Sequence, residues 1–166
     1  MAAEPSSPRH PRSLRRYVAL GALGLLGLLL LIQLVPYGRD HANPQPTKQV
    51  ALPTATQRDI FRNGCQDCHS YNTDWLWYTN VAPVSWLVQN DVDGGRERMN
   101  LSAWDHPQPE LGDVEEAIQG GGMPPIQYRA SPYHWNANLS DTEKRELIAG
   151  FRALYAKDPP PIGGGG

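Results

Sequence analysis

Both cysteines of this 166-residue chain fall in one pentapeptide, Cys65-Gln66-Asp67-Cys68-His69. Two thiols separated by two residues and followed at once by a histidine form the attachment pattern of a c-type haem. The sulfurs make thioethers to the porphyrin vinyl groups, and His69 Nε2 takes the proximal side of the iron. Positions three apart on a helical turn face one way, so both sulfurs reach one edge of the ring and the next residue enters beneath it. Other uses of these residues stay open. A zinc site needs four ligands, and no second cysteine pair completes it. A thioredoxin-like dithiol wants a βαβ pattern around it, and a disulfide across two residues closes a small, strained loop.

An iron held on one side by His69 asks what stands on the other. Met123 sits in Gly122-Met123-Pro124-Pro125, where a backbone stiffened by two prolines lowers the entropy lost in placing a thioether on the metal. His/Met ligation raises the potential of the iron and leaves no open coordination site. Met99, His106 and His134 are the other candidates for that position. Arg96 is the candidate partner of the haem propionates, because its planar fork matches a carboxylate; a solvated arginine paired with Glu97 or Asp93 is the plainer reading. Trp75, Trp77 and Trp104 are candidates to wall the ring, in a chain with five Trp and seven Tyr against two Phe. Ordinary core aromatics are the alternative for each.

Short helices separated by loops must position these groups, since 16 Gly and 16 Pro break up the chain. A first helix is expected from Thr54 or Thr56 to about Asn63, with a threonine cap and Ile60 and Phe61 on its apolar side, ending at the haem motif. Pro83 starts a second, over Val84 to Asp91 or Val92, stopped by Gly94-Gly95. Val114 and Ile118 mark a short one over Asp113–Gln119. The last is the clearest: Ser140-Asp141-Thr142-Glu143 is a capping box, and Leu147, Ile148, Phe151, Leu154 and Tyr155 make its apolar stripe, over Asp141 to about Ala156. Gly64 and Gly150 are candidate points of close approach between the first and last helices. The expected class is therefore all-α.

Upstream, residues 1–16 are rich in Pro, Ser and Arg and are expected to be disordered. Tyr17 to Val35 is uncharged and long enough to cross a bilayer. A cleaved signal is the rival reading, but the apolar run is long for one and no small-x-small cleavage site precedes Pro36. Four arginines before the span, with only Arg39 close behind it, place the N-terminus in the cytoplasm and export the remainder, and the c-type haem resemblance implies the compartment outside a bacterial cytoplasmic membrane, the periplasm. Residues 36–53 then read as an extended Pro-rich tether, residues 54–158 as the haem domain, and residues 159–166 as a mobile low-complexity tail. From Tyr37 onward 11 Lys and Arg face 16 Asp and Glu, a net charge of −5. Such a domain does not suit nucleic acid and is steered toward basic partner faces.

Cys65-x-x-Cys68-His69-Ser70, Thr73-Asp74-Trp75-Leu76-Trp77-Tyr78, Ala82-Pro83-Val84-Ser85-Trp86-Leu87-Val88, Gly95-Arg96 and Asn100-Leu101-Ser102-x-Trp104 occur in that order. With Gly122-Met123-Pro124-Pro125, Tyr128, His134 and Leu139-Ser140, they resemble the bacterial haem-binding domain family of small exported c-type proteins, over roughly residues 55–156. Trp135 departs from the proline often found after the histidine in similar sequences. The resemblance implies a cytochrome c-like domain around one covalent haem c.

On this reading the protein is a membrane-anchored monohaem cytochrome that passes electrons between redox partner proteins, with no catalytic residue. A haem enzyme or gas sensor with a displaceable sixth ligand and polar distal groups is the rival. A haem subunit of a larger respiratory or photosynthetic complex is a third, for which Gly21, Gly24 and Gly27 would offer a close helix contact.

Overall fold

Thr54 decides where the domain that follows the apolar span begins its helical structure. Its hydroxyl accepts from the Gln57 backbone N–H while the Gln57 side chain returns a bond to the Thr54 N–H, so two otherwise orphaned donors are satisfied. The computed structural model describes residues 12–163. Seven α-helices form among them: α1 (Arg12–Ile32), α2 (Ala55–Gly64), α3 (Gln66–His69), α4 (Val84–Arg98), α5 (Leu111–Gln119), α6 (Ile126–Arg129) and α7 (Asp141–Lys157). Two short 3-10 turns, Trp77–Asn80 and Trp135–Ala137, complete the set, and no strand forms among the described residues.

The core lies where α2 and α5 pack on α7. Phe61 meets Phe151 edge-on at 6.2 Å between ring centroids, and Leu147, Ile148 and Leu154 fill the space around them. Gly150 lets α2 approach, since a Cβ there would stand 3.0 Å from Gln57 Cδ. Gly64 serves a different contact, against Leu139 and Pro124.

Two helices run past their expected ends. α5 starts two residues early, and α4 continues through Gly94-Gly95 to Arg98. Glycine inside a helix costs only about 1 kcal/mol, and at Gly95 packing offsets it. α4 lies so close to α3 that a Cβ on Gly95 would come within 2.5 Å of the Cys68 carbonyl oxygen.

The expected tether is instead a strap laid on the domain. Val50 N–H bonds the Leu101 carbonyl at 2.9 Å, Trp104 N–H bonds that of Lys48 at 3.0 Å, and Leu52 is buried in the core. Its polar residues, which suggested solvent, find partners in the protein: His41 on the Thr79 carbonyl, Asn43 on the Thr73 backbone, and Gln49 on the Ser102 hydroxyl. The start of the tail is held too, with Gln108 N–H bonded to the Pro161 carbonyl and Gly163 N–H to that of Gln108. Residues 164–166 lie outside the described residues. So do residues 1–11 of the segment expected to be disordered, while the chain from Arg12 to Arg16 is already helical.

α1 contains a 19-residue run, Leu14–Ile32, long and apolar enough to cross a membrane, with none of it buried against the protein. Just beyond it, the Gln33 carboxamide spans the Ala82 backbone, donating to its carbonyl at 2.9 Å and accepting from its N–H at 3.0 Å.

Candidate functional site

α3 is a single turn wedged between α2 and α4, and it carries the motif. His69 is buried. Its Nδ1–H donates to the Met99 carbonyl at 3.0 Å, and because a carbonyl can only accept, this bond assigns the tautomer and leaves a lone pair on Nε2. Burial also pulls its pKa below the ordinary value, which keeps the ring neutral. A neutral imidazole with one nitrogen pinned by a carbonyl is how a metal-ligating histidine is oriented.

Cys65, Cys68 and His69 open onto one cavity of about 270 Å³. Neither sulfur is in a disulfide. Burial pushes both thiols up to about 12, helped at Cys65 by its neighbour Cys68 and at Cys68 by Asp67 and Asp91. Met123 lines the same cavity from the loop between α5 and α6. That loop is tied down by Met123 N–H on the Ala117 carbonyl at 3.0 Å and by Arg129 on the Gly121 carbonyl at 3.2 Å. Gly121, at φ +74°, makes the turn that leads into it. Gly94 presents bare backbone to the cavity, where a Cβ would meet nothing within 4 Å.

Several residues sit elsewhere than the sequence analysis expects. Arg96 lies outside the cavity wall, and its guanidinium is committed to protein: Nε to the Ser70 carbonyl, Nη1 to that of Ala42, and Nη2 to Asn43 Oδ1 and Thr73 Oγ1, all at 2.9–3.0 Å. It nails the strap to the segment after His69. Arg98, two residues later and therefore on the opposite side of α4, lines the cavity instead. Trp104 is wholly buried in the core, with its Nε1–H on the Asp158 carbonyl and its face against Tyr155. Trp75 stacks on His41 of the strap at 4.6 Å, and Trp77 is exposed beside Tyr78 and Tyr133. None of the three tryptophans lines the cavity.

Among the other candidates for the sixth position, Met99 is buried in the core cluster and His106 is exposed, both away from the cavity. His134 does reach it, with Nε2 2.5 Å from the Tyr78 hydroxyl. Next to this pair, the Tyr128 hydroxyl donates to Asp91 Oδ2 at 2.8 Å. Burial raises the pKa of both tyrosines, and the Asp91 bond raises that of Tyr128 further. Tyr78 entered the sequence analysis only within the family resemblance and Asp91 only as a helix end, because single polar residues in a helix or a loop carry no periodic signal.

A model of the haem-binding domain family matches residues 27–153. The chain belongs to that family. Cytochrome c peroxidase Ccp of Escherichia coli (strain K12) is 31% identical over 94 residues, which make up 52% of this chain and 20% of that protein. The chain thus spans about a fifth of its relative's length. No solved structure matches significantly. The donor set fits what a haem-binding domain must hold: a neutral imidazole with a free Nε2, two thiols three positions apart, a thioether on a tied loop, and a glycine backbone where a flat ring needs clearance.

Proposed function

We propose that this haem-binding domain protein is a monohaem c-type cytochrome, held to the membrane by α1, which carries electrons between redox partner proteins. Cys65 and Cys68 would bond the porphyrin as thioethers, while His69 Nε2 and Met123 Sδ would ligate the iron. When bound, haem supplies reversible one-electron exchange between ferric and ferrous iron. The observation that carries the reading is that one cavity gathers Cys65, Cys68, His69 and Met123.

The chain's own residues then have distinct tasks. The Met99 carbonyl fixes the imidazole orientation and makes Nε2 a better donor. The tied Met123 loop would hold its thioether in place when iron is bound, which would keep reorganisation small. Arg98 at the cavity rim offers its guanidinium to the propionates in the place first assigned to Arg96. The cavity, about 270 Å³, falls just below the ~300–1,000 Å³ range of small-molecule sites, so a porphyrin would keep an edge in solvent for outer-sphere transfer.

Charge supports the location. Arg9, Arg12, Arg15 and Arg16 precede the span and favour an N-terminus in the cytoplasm, with the domain on the far side, where covalent haem attachment takes place in bacteria. The net −5 of that domain steers it toward basic partner surfaces.

The Asp91–Tyr128 and Tyr78–His134 pairs favour a second reading, a peroxidase-like or gas-sensing site in which these groups serve a displaceable sixth position. A visible spectrum with a redox titration of the membrane-bound protein separates the two. Met123→Ala is expected to abolish the sulfur-to-iron charge-transfer absorbance of the ferric protein and to lower its potential; an unchanged spectrum rules Met123 out. Tight carbon monoxide binding by the ferrous wild type would favour the second reading.

A further inference from the structure

The stretch from Trp75 to Asn90 contains 16 residues and no charged side chain, between Asp74 and Asp91 of a domain that is otherwise rich in acids. It holds three of the five tryptophans. Within it, Val81, Val84 and Leu87 are 44%, 40% and 47% exposed, and Val84 and Leu87 share a face of α4 at i, i+3 spacing. These apolar side chains flank the place where the domain meets α1. Ala82, between Val81 and Pro83, is the residue whose backbone is bonded through both its groups to Gln33, one position past the apolar helix.

That junction is stiff. Arg39 donates to Gln33 Oε1 at 2.8 Å, and Gly38, at φ +78°, lies so close to α4 that a Cβ there would stand 2.2 Å from the Ser85 carbonyl oxygen. A span ending at Ile32 and a side chain at Gln33 reaching the Ala82 backbone put Val81 and Val84 at the level of the bilayer interface. Aromatic and aliphatic groups are favoured at that depth and buried charges are costly. An acidic face turned toward anionic lipid would be repelled; the stretch from Trp75 to Asn90 carries no acid.

We propose that the start of α4 rests on the lipid surface, with Val81, Val84 and Leu87 in the headgroup region beside the emerging anchor, so that the domain is held in one orientation. The inference rests on the reading of α1 as a retained span. Its test uses the haem-loaded full chain in vesicles of phosphatidylcholine and phosphatidylglycerol, with a nitroxide on Val84→Cys, Leu87→Cys or, on the exposed side of α7, Glu146→Cys. Collisions with a water-soluble nickel chelate are expected to be lost at 84 and 87 and kept at 146. Gln33→Ala is expected to restore nickel access at 84 while the protein stays with the vesicles through alkaline carbonate. Free nickel access at 84 and 87 in carbonate-resistant protein overturns the lipid contact and leaves the anchor standing. Release of the protein by carbonate overturns both. Nickel still excluded from 84 in the Gln33→Ala protein overturns the role given to the Gln33–Ala82 joint.

Discussion

The two halves of the domain on either side of α2 solve different problems. On one side, Phe61, Trp104, Leu147 and Phe151 fill a core in which the buried indole N–H has a carbonyl partner and rings meet edge to face. Nothing further is needed there. On the other, α3 and α4 frame a cavity lined by thiols, a neutral histidine, a thioether, two tyrosines with raised pKa values and the bare backbone of Gly94. Protein interiors leave few such voids, and a wall of titratable groups is costly to maintain unless a ligand meets it. The core secures the fold, whereas the cavity is shaped for something that the chain itself does not supply.

That contrast can be broken most severely from the cavity side. Replacing both Cys65 and Cys68 with Ala is expected to remove all haem staining from the denatured protein on a gel, while leaving the helices of the core in place by circular dichroism. Phe151→Ala works on the other half and should cost about 3–5 kcal/mol in denaturant unfolding, with or without haem. A third measurement compares the two halves through pH. In the reduced apoprotein the folded chain holds both thiol protons up to about 12, against an ordinary value of 9.0. The unfolded chain binds fewer protons in that window, so stability should fall as pH rises from 9 toward 12. The proposed thioethers would remove the titrating groups, so in the haem-loaded protein that fall should vanish. The smallest effect belongs to a helix start remote from the cavity. Ser140→Ala breaks the capping box of α7 and should cost about 1 kcal/mol, leaving the visible spectrum unchanged.

What could be read from the chain beforehand divides along the same line. α7 and α2 announce themselves through caps and apolar spacing, which are local signals, and the structure places them within a residue or two of expectation. Cys65, Cys68, His69 and Met123 were legible because their residue types and neighbours are unusual, and the fold brings them to one cavity. The strap was not legible. Its Pro, Asn, Gln and Thr content is that of a solvated linker, and it takes tertiary partners, among them the backbone of residues 100–104 and the side chain of Arg96, to convert it into packed structure. Arg96 itself was misplaced for a related reason. One guanidinium can bond several carbonyls as readily as a propionate, and sequence alone does not say which acceptors come near. Gly94-Gly95 read as a stop because glycine weakens helices locally, whereas a tertiary contact with Cys68 carries α4 through it.

The length of α4 has one last implication. This helix starts beside the Gln33 joint and ends with Arg98 on the cavity rim, 15 residues or about 22 Å away. With its lower end seated as proposed, it would set how high above the lipid the cavity stands, since its residues line that cavity from Val88 onward. Electron tunnelling fades steeply with separation, so for the electron carrier proposed above a partner would have to offer its own redox centre at a matching altitude above the bilayer, and soluble carriers and membrane complexes alike would be selected by height before they are selected by charge.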